Sequence, residues 1–294
     1  MDFRRPRYRL VAVDIDGTLM DSANRLPEAN RDALYRAHEA GIKVCLCTGR
    51  SLTEAQPVLD ALGLDLDAAA FIFGAMVSDL RRGRTLARRP LEAVLADRLI
   101  DFFTGWDYPV LCVYDRTERG FDYHLIEGTR HRHPYEDWVL RTPCRVERCA
   151  RWLSDGVQPL RVGVILESDA QSELLVALKG AFPAGTMKFN VIYVAQYGFH
   201  VLECFAPDVN KWYGIDRLCH LWQIDSAQIA AIGDDVNDIE MLQHAGLGVA
   251  VGNAPEAVKK VADAIAPTND ACGVAWLIDR LLATEPAFRR LPEE

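Results

Sequence analysis

The chain has 294 residues, half of them hydrophobic, and a formal net charge of −9. This length and composition allow one large domain or two ordinary ones, and the negative charge argues against general nucleic-acid binding. No apolar run reaches the roughly 18 to 20 residues of a membrane span, and the basic N-terminus lacks the apolar segment of a signal peptide. We therefore expect a cytoplasmic protein that contacts no membrane, with its eight scattered cysteines reduced.

The first strong signal is the apolar run Leu10–Val13, which predicts a strand buried on both faces, as in a parallel sheet. Asp14, Asp16 and Gly17 follow at its carboxyl end, where open α/β sheets bind their ligands. On an extended chain this spacing points both carboxylates to the same face, and such a pair needs a cation or a shared proton. The alternative interpretation is an ordinary Asp-Gly turn.

The next elements are a helix predicted over 26–40 and a strand over 42–47 that runs into Thr48–Arg50. Ser51 and Glu54 have the spacing of a capping box, which places Thr48–Arg50 at a helix N-terminus. Free backbone N–H groups at such a terminus favour an anion. An ordinary strand-to-helix turn is the alternative.

A third apolar run, Ala68–Phe73, ends at Gly74, and the arginine-rich segment 81–90 is interpreted as a linker into a second domain. From about residue 84 to about 206 the pattern is α+β rather than regularly alternating. It predicts helices over 91–103 and 169–179 and strands over 110–114, 121–126, 160–166, 188–194 and 199–205, the last two as a hairpin.

Beyond this region, Asp208 or Asn210 could cap a helix that carries Lys211 in its first turn. A lysine there opposes the helix dipole, so we expect an anionic partner beside it. The predicted strand 229–232 then runs into Gly233–Asp238. This segment holds three carboxylates and an amide, which favours a bound cation. Later signals are helices over 239–244, 255–264 and 274–282 and a strand over 247–251.

Four segments, Asp14–Thr18, Thr48–Arg50, Lys211 and Gly233–Asp238, resemble in order and spacing the four motifs of the haloacid dehalogenase superfamily. Within it the chain is similar to the Cof-type phosphatases, whose late signatures match Gly252–Ala254 and Asn269–Ala275 and whose cap is inserted between the second and third motifs. Two residues depart from the usual pattern, Phe73 in place of Asn and Trp212 in place of Gly.

The resemblance implies an α/β fold: a Rossmann-like parallel-sheet core formed by residues 1–83 and 207–294, with an inserted α+β cap over 84–206 that sets substrate specificity. It also implies a phosphatase that hydrolyses a phosphate monoester of a small metabolite, such as a sugar phosphate, through an aspartyl-phosphate. The expected cofactor is Mg²⁺, which prefers oxygen ligands. The sequence does not indicate an oligomeric state.

Carried over residue by residue, the resemblance makes Asp14 the nucleophile and Asp16 the general acid and base. The expected Mg²⁺ ligands are Asp14, the backbone carbonyl of Asp16, and Asp234. The expected phosphate-binding groups are Thr48, Gly49, Lys211 and Asn237. Asp238 is expected to orient Lys211 or metal-bound water, and Asp235 is either part of this cluster or a solvated acid.

The candidate specificity residues are Arg50 and a polar, cationic loop formed by Arg130, His131, Arg132 and His133. The loop could instead be a solvated outer surface, and its two histidines lack a third metal ligand nearby. One alternative function is a phosphomannomutase-like transfer, for which Arg130, Arg132, Arg141 and Arg145 could bind a second phosphate. The other is a non-catalytic binding protein on the same core.

Overall fold

The computed structural model describes residues 7–130, 132–150, 156–166, 171–194 and 198–283. Its chain forms two compact units. The core unit comprises the chain up to Ala87 and from Asn210 onward, and the inserted unit comprises Arg88–Val209. His131 and the first two residues of the helix predicted over 169–179 lie outside the described residues.

The strands are, in chain order, β1 (Leu10–Val13), β2 (Lys43–Leu46), β3 (Ala68–Phe71), β4 (Met76–Asp79), β5 (Arg84–Arg88), β6 (Val110–Val113), β7 (Tyr123–Ile126), β8 (Val146–Cys149), β9 (Arg161–Leu166), β10 (Lys188–Val194), β11 (Phe199–Phe205), β12 (Ile229–Gly233), β13 (Leu247–Ala250) and β14 (Ala264–Ile265). The helices are α1 (Glu28–Glu39), α2 (Leu52–Leu62), α3 (Ala93–Gly105), α4 (Arg116–Arg119), α5 (Arg132–Arg141), α6 (Gln171–Ala181), α7 (Lys211–Trp222), α8 (Ile239–His244), α9 (Glu256–Lys259) and α10 (Gly273–Leu282).

The core unit is built on a parallel sheet with the strand order β14-β13-β12-β1-β2. Val13 is level with Ile232 of β12 and with Leu46 of β2, so these three strands end side by side. All four residues of β1 are buried, and Leu10 and Ala12 belong to an apolar cluster that includes residues of helices α7 and α8. This architecture confirms the predicted α/β class, and its register brings the polar segments after β1, β2 and β12 to one edge.

A second, antiparallel sheet of the core unit has the order β3-β4-β5. It continues the parallel sheet through a bridge between Cys47 and Ala70. The interpretation of residues 81–90 as a linker was wrong for Arg84–Arg88, which form β5 and pair with β4. Charged side chains are tolerated there because β5 is a partly exposed edge strand.

The inserted unit has a mixed sheet with the order β10-β11-β9-β6-β7-β8, in which only β7 and β8 pair in parallel among the pairings of its described residues. Strands β10 and β11 form the predicted hairpin. An apolar core joins this sheet to α3 and α6 through residues such as Leu99, Phe103, Val164 and Leu178. The predicted α+β character is confirmed.

Two local predictions were less accurate. Arg132 and His133 begin helix α5, although a loop was predicted there. The helix predicted over 255–264 shortens to Glu256–Lys259. Pro57 lies inside α2, which begins at Leu52 because Ser51 caps it. In the part of the chain that the structure describes, no helix combines the length and apolar character needed to cross a bilayer.

Candidate active site

The segment after β1 leaves the sheet in a wide turn. The backbone N–H groups of Leu19 and Met20 donate to the carbonyls of Asp14 and Ile15, at 3.2 and 3.0 Å. Gly17 allows this turn because its φ is +77°. The segment is therefore not extended, and the two carboxylates enter different environments: Asp14 is buried, whereas the Asp16 side chain is 54% exposed.

Lys211 joins two parts of the site. Helix α7 begins with Lys211 because the Asn210 side chain accepts a hydrogen bond from the backbone N–H of Tyr213, at 2.7 Å; Asn210, not Asp208, is the cap. The Lys211 ammonium then donates to Oδ1 of Asp14 at 2.5 Å and to Oδ1 of Asp238 at 2.6 Å. The expected anionic partner of this lysine is thus a pair of buried carboxylates.

Burial and charge shift the pKa values of this cluster. Burial raises the pKa of Asp14 well above its usual value; Lys211 opposes the shift, while Asp238 and Asp234 add to it. Burial, then the charge of Asp238, raises the pKa of Asp234 to about 6. Burial disfavours the charge of Lys211, but Asp14 and Asp238 outweigh it and hold its pKa above the usual value. The ammonium is therefore a permanent cation.

The turn after β12 orders the remaining acids. Asp238 accepts hydrogen bonds on Oδ2 from the backbone N–H groups of Asp234 and Asp235, both at 3.1 Å. Asp235 accepts from the backbone N–H of Val236 at 2.7 Å and from the Asn237 amide at 3.1 Å. Asp235 is therefore a cap of this turn and not merely a solvated acid.

The acidic cluster fits a magnesium ion. Carboxylate oxygens of Asp14, Asp234 and Asp238 lie within 4.8 Å of one another. Both oxygens of Asp238 are already engaged by Lys211 and by backbone N–H groups, so Asp14 and Asp234 are the carboxylates better placed to bind a cation. Among the described residues, the buried Oδ1 of Asn237 has no hydrogen-bond partner. Oxygen donors around a net negative charge are what Mg²⁺ prefers.

Close packing holds Asp234 against the turn after β1. A Cβ atom on Gly17 would lie 2.3 Å from Oδ2 of Asp234, so only glycine permits this approach. The Thr18 hydroxyl also donates to Oδ1 of Asp234, at 3.1 Å. The first and last of the four predicted motifs are thus in contact.

The predicted capping box of α2 is present. Ser51 Oγ accepts from the backbone N–H of Glu54 at 3.3 Å, and the Glu54 carboxylate accepts from the backbone N–H of Ser51 at 2.8 Å. Thr48 is buried, and its Oγ1 accepts from the backbone N–H of Arg50 at 3.1 Å. Thr48 and Gly49 thus lie just before a helix N-terminus, an arrangement that binds anions.

The sequence did not predict how the turn Ile72–Gly74 supports Thr48–Arg50. Ile72 and Phe73 have φ values of +52° and +53°, which side chains rarely adopt. The backbone N–H of Ile72 donates to the carbonyl of Arg50 at 3.0 Å, and that of Phe73 donates to the carbonyl of Thr48 at 2.9 Å. The Phe73 ring is so near Gly49 that a Cβ there would lie 2.3 Å from it.

The late signatures also hold the turn after β1. The Asn253 amide donates to the carbonyl of Gly17 at 2.8 Å, and its oxygen accepts from the backbone N–H of Asn269 at 2.9 Å. The Asn269 amide donates to the carbonyl of Met20 at 3.0 Å. The sequence marked these residues by resemblance alone, whereas the contacts give them a physical role.

In the inserted unit, Arg130 lies over the rings of Trp106 and Tyr108, with centroid distances of 5.8 and 5.1 Å. Arg132 pairs with Glu136 at 3.3 Å on an exposed surface, and His133 is exposed. In the core unit, Trp212 stacks on His244 with a centroid distance of 5.3 Å.

A model of the haloacid dehalogenase-like hydrolase family matches residues 11–278. Phosphatase YwpJ of Bacillus subtilis is 27% identical over 93% of this chain and 100% of its own. The 5-amino-6-(5-phospho-D-ribitylamino)uracil phosphatase YwtE of the same organism is 26% identical over 95% of this chain and 100% of its own. A crystal structure of a haloacid dehalogenase-like hydrolase from Bacteroides thetaiotaomicron has a TM-score of 0.74 and 25% identity, covering 94% of this chain and 100% of that one.

The chain therefore belongs to the haloacid dehalogenase-like hydrolase family, and the two relatives named above, which it matches over their full length, are both named phosphatases. This confirms the resemblance drawn from the four motifs.

Proposed function

We propose that this chain is an Mg²⁺-dependent phosphatase that hydrolyses the phosphate monoester of a small metabolite, a sugar phosphate or a similar compound, through an aspartyl-phosphate on Asp14. The observation that carries the proposal is the buried ammonium of Lys211 between Asp14 and Asp238, beside Asp234. Phosphoryl transfer depends mainly on positioning and charge neutralisation, which this cluster can supply. A similar enzyme, YwtE, is named for a phosphoribityl compound, which supports the substrate class.

In the first step, an oxygen of Asp14 attacks phosphorus, and the bond from phosphorus to the ester oxygen breaks. Lys211 fixes the other end of the nucleophile by its bond to Oδ1. Asp16 donates a proton to the departing oxygen, which leaves as an alcohol. Thr48, Gly49, Lys211 and Asn237 hold the phosphoryl oxygens. A bound Mg²⁺ would supply further positive charge to the site.

In the second step, the oxygen of a water molecule attacks phosphorus. Asp16, now a carboxylate, takes a proton from that water molecule. The bond between phosphorus and Asp14 breaks, which releases inorganic phosphate and restores the Asp14 carboxylate. Asp14, Asp234 and the backbone carbonyl of Asp16 are the groups that would hold the metal. Asp238 acts on the site through Lys211, because one of its oxygens accepts from that ammonium.

Hydrolysis has more support than a mutase reaction. YwpJ and YwtE, which this chain matches over their full length, are both named phosphatases. Of the arginines that a mutase could use for a second phosphate, Arg130 lies on aromatic rings, and the others form exposed pairs, Arg132 with Glu136, Arg141 with Asp137 and Arg145 with Glu147. A non-catalytic role has less support, because each predicted catalytic position carries the required residue.

We also propose that residues 84–206 select the substrate. Arg130, His131, Arg132 and His133 remain the candidate residues, and their replacement by Ala should change kcat/KM among sugar phosphates while sparing a small aryl phosphate. Arg141→Ala, the loss of another exposed cation of α5, is the matched control. An equal effect on all substrates, or none, would exclude this group of residues as the specificity element.

The test of the function is a panel of phosphorylated metabolites assayed for release of inorganic phosphate with Mg²⁺. We expect turnover of at least one small phosphate monoester, its loss in excess EDTA and its recovery when Mg²⁺ is restored. Turnover that persists fully in EDTA would contradict the proposed metal dependence, and no turnover of any ester would contradict the function.

A further inference from the structure

The exposed carboxylate of the site is paired with Arg50. Its Nε donates to Oδ2 of Asp16 at 2.9 Å, and its Nη2 donates to Oδ1 at 2.5 Å. The guanidinium also approaches the carbonyl of Glu54 and Oδ1 of Asn24, each at 3.4 Å. Arg50 therefore binds both oxygens of Asp16 at once, in the planar arrangement that arginine favours with carboxylates.

This pairing is incompatible with the role proposed for Asp16. A general acid must turn an O–H group toward the departing oxygen, yet both Asp16 oxygens here accept hydrogen bonds from a guanidinium, which has donors only. Asp16 must therefore leave at least one of these hydrogen bonds before it can give a proton to the leaving group.

The position of Arg50 indicates what could replace Asp16. Arg50 follows Thr48 and Gly49 directly at the N-terminus of α2, and its own backbone N–H is bound to Thr48 Oγ1. A phosphate ester held by these residues would lie near the guanidinium, and arginine binds phosphate in the same two-point manner as carboxylate. The exchange replaces one anionic partner by another, so the charge of Arg50 stays compensated throughout.

We propose that Arg50 is a positioning residue that changes partners: it holds the Asp16 carboxylate in the free enzyme and an anionic oxygen of the phosphate ester in the complex, which frees Asp16 for proton transfer. This inference rests on the proposed phosphatase function. Exposure makes the exchange feasible, because the Asp16 side chain is 54% exposed. An ion pair in such a position changes an equilibrium by only up to roughly fivefold.

The test is the binding of inorganic phosphate, the reaction product, measured by calorimetry with Mg²⁺ present. Four proteins are compared: the unmodified chain, Asp16→Asn, Arg50→Ala and the double variant. Because Asn does not compete for the guanidinium as a carboxylate does, we expect Asp16→Asn to bind phosphate roughly fivefold more tightly. Arg50→Ala should bind it about tenfold more weakly, and Asp16→Asn should then have almost no further effect.

The same tightening in both backgrounds would mean that Asp16 only repels phosphate, and would overturn the proposal. Unchanged affinity in Arg50→Ala, or no measurable phosphate binding to the unmodified chain, would overturn it as well. Arg50→Lys keeps the charge but cannot bind two oxygens in parallel, so it should have an intermediate phosphate affinity. It replaces Arg50→Ala in the comparison if that variant does not fold.

Arg25→Ala and Asp21→Asn provide the control, because Arg25, which is exposed, and Asp21 form another arginine–aspartate pair of the core unit, at 2.9 Å. Neither change should alter phosphate affinity. Failure of the phosphatase function is distinguishable, since it would appear as absence of ester turnover in the unmodified chain. Failure of the exchange alone would appear as normal turnover with additive effects on phosphate binding.

Discussion

Asp14 and Asp16 are two residues apart in the chain, yet they lie in opposite environments. Asp14 is buried and bound to Lys211, a cation that is itself 3% exposed. Asp16 is 54% exposed and bound to Arg50, which is 21% exposed. The turn at Gly17 creates the difference, because it takes the chain out of the sheet just after Asp14.

The two environments suit two different tasks. A buried pair that loses one partner leaves an uncompensated charge, which is costly, so Lys211 holds Asp14 in one place. An exposed pair is weak and can open. A nucleophile needs a fixed position, whereas a general acid and base must change partners during each cycle. The contrast predicts that changes at Asp14 and Lys211 will have larger effects than changes at Asp16.

The largest effect is expected for Asp14→Asn, which preserves shape but removes the carboxylate proposed as the nucleophile. Turnover of an aryl phosphate should fall by roughly four orders of magnitude, while the thermal midpoint shifts by only a few degrees. The measurement is phosphate release with Mg²⁺, paired with a thermal scan. Activity within tenfold of the unmodified protein would show that the buried carboxylate is not the nucleophile.

Lys211→Met should lower both turnover and stability. Removing the cation leaves Asp14 and Asp238 as buried like charges, so the free energy of unfolding should fall by about 3–5 kcal/mol. Lys43→Met is the control, because Lys43 pairs with the partly exposed Asp67 and its loss should cost less than about 1 kcal/mol. The free energy of unfolding is measured by urea denaturation. An equal decrease in Lys211→Met and Lys43→Met would contradict the distinction between buried and exposed pairs.

The loss in Lys211→Met should depend on pH. Burial already raises the pKa of Asp14, and loss of Lys211, which lowers that pKa, raises it further. The folded variant then binds protons that the unfolded chain releases, so acid favours folding. The stability deficit measured in EDTA should therefore shrink as the pH is lowered. A deficit that grows in acid would contradict this electrostatic account.

Asp16→Ala should have a selective effect. Turnover of an alkyl phosphate, whose leaving oxygen needs a proton, should fall by a factor of about 10² to 10⁴. The rate at which Asp14 attacks the phosphorus of an activated aryl phosphate should fall far less. Asp21→Ala, a change at another acid near the site in sequence, is the control. Losses of equal size for both esters would mean that Asp16 is not the acid.

The smallest effect is expected for changes in the packing behind Thr48 and Gly49, two of the residues proposed to bind phosphate. Gly49→Ala places a Cβ against the Phe73 ring, so activity should fall, by up to about a hundredfold if the backbone moves 1 Å. Phe73→Leu in the same chain should restore part of it. Gly105→Ala, where a Cβ meets nothing within 4 Å, is the control. No recovery in the double variant would mean that the ring is not the obstacle.

The sequence predicted those features that depend on neighbouring residues. The strand Leu10–Val13, the capping box of Ser51 and Glu54, and Lys211 in the first turn of its helix are all present. Each follows from periodicity or from side chains a few residues apart. Their assembly at one edge followed from the rule for parallel strands, which the register of β1, β2 and β12 obeys.

The sequence did not predict contacts between residues that are distant in the chain. Arg50 and Asp16 are 34 positions apart, and Lys211 and Asp14 are 197 apart, so no local pattern could specify either pair. The left-handed residues Ile72 and Phe73 contradict their own conformational preferences, because tertiary contacts impose that turn. Arg132 and His133 resembled a ligand-rich loop, yet they begin a helix.

The most direct test of the central claim, that Asp14 is the nucleophile and Asp16 the acid and base, is to trap the intermediate. In Asp16→Ala, an activated aryl phosphate needs no proton to leave, but the water attack that follows lacks its base. Acid quenching of this variant with a ³²P-labelled aryl phosphate should give a hydroxylamine-sensitive label on the peptide that contains Asp14. Absence of label, or label on another residue, would contradict the account.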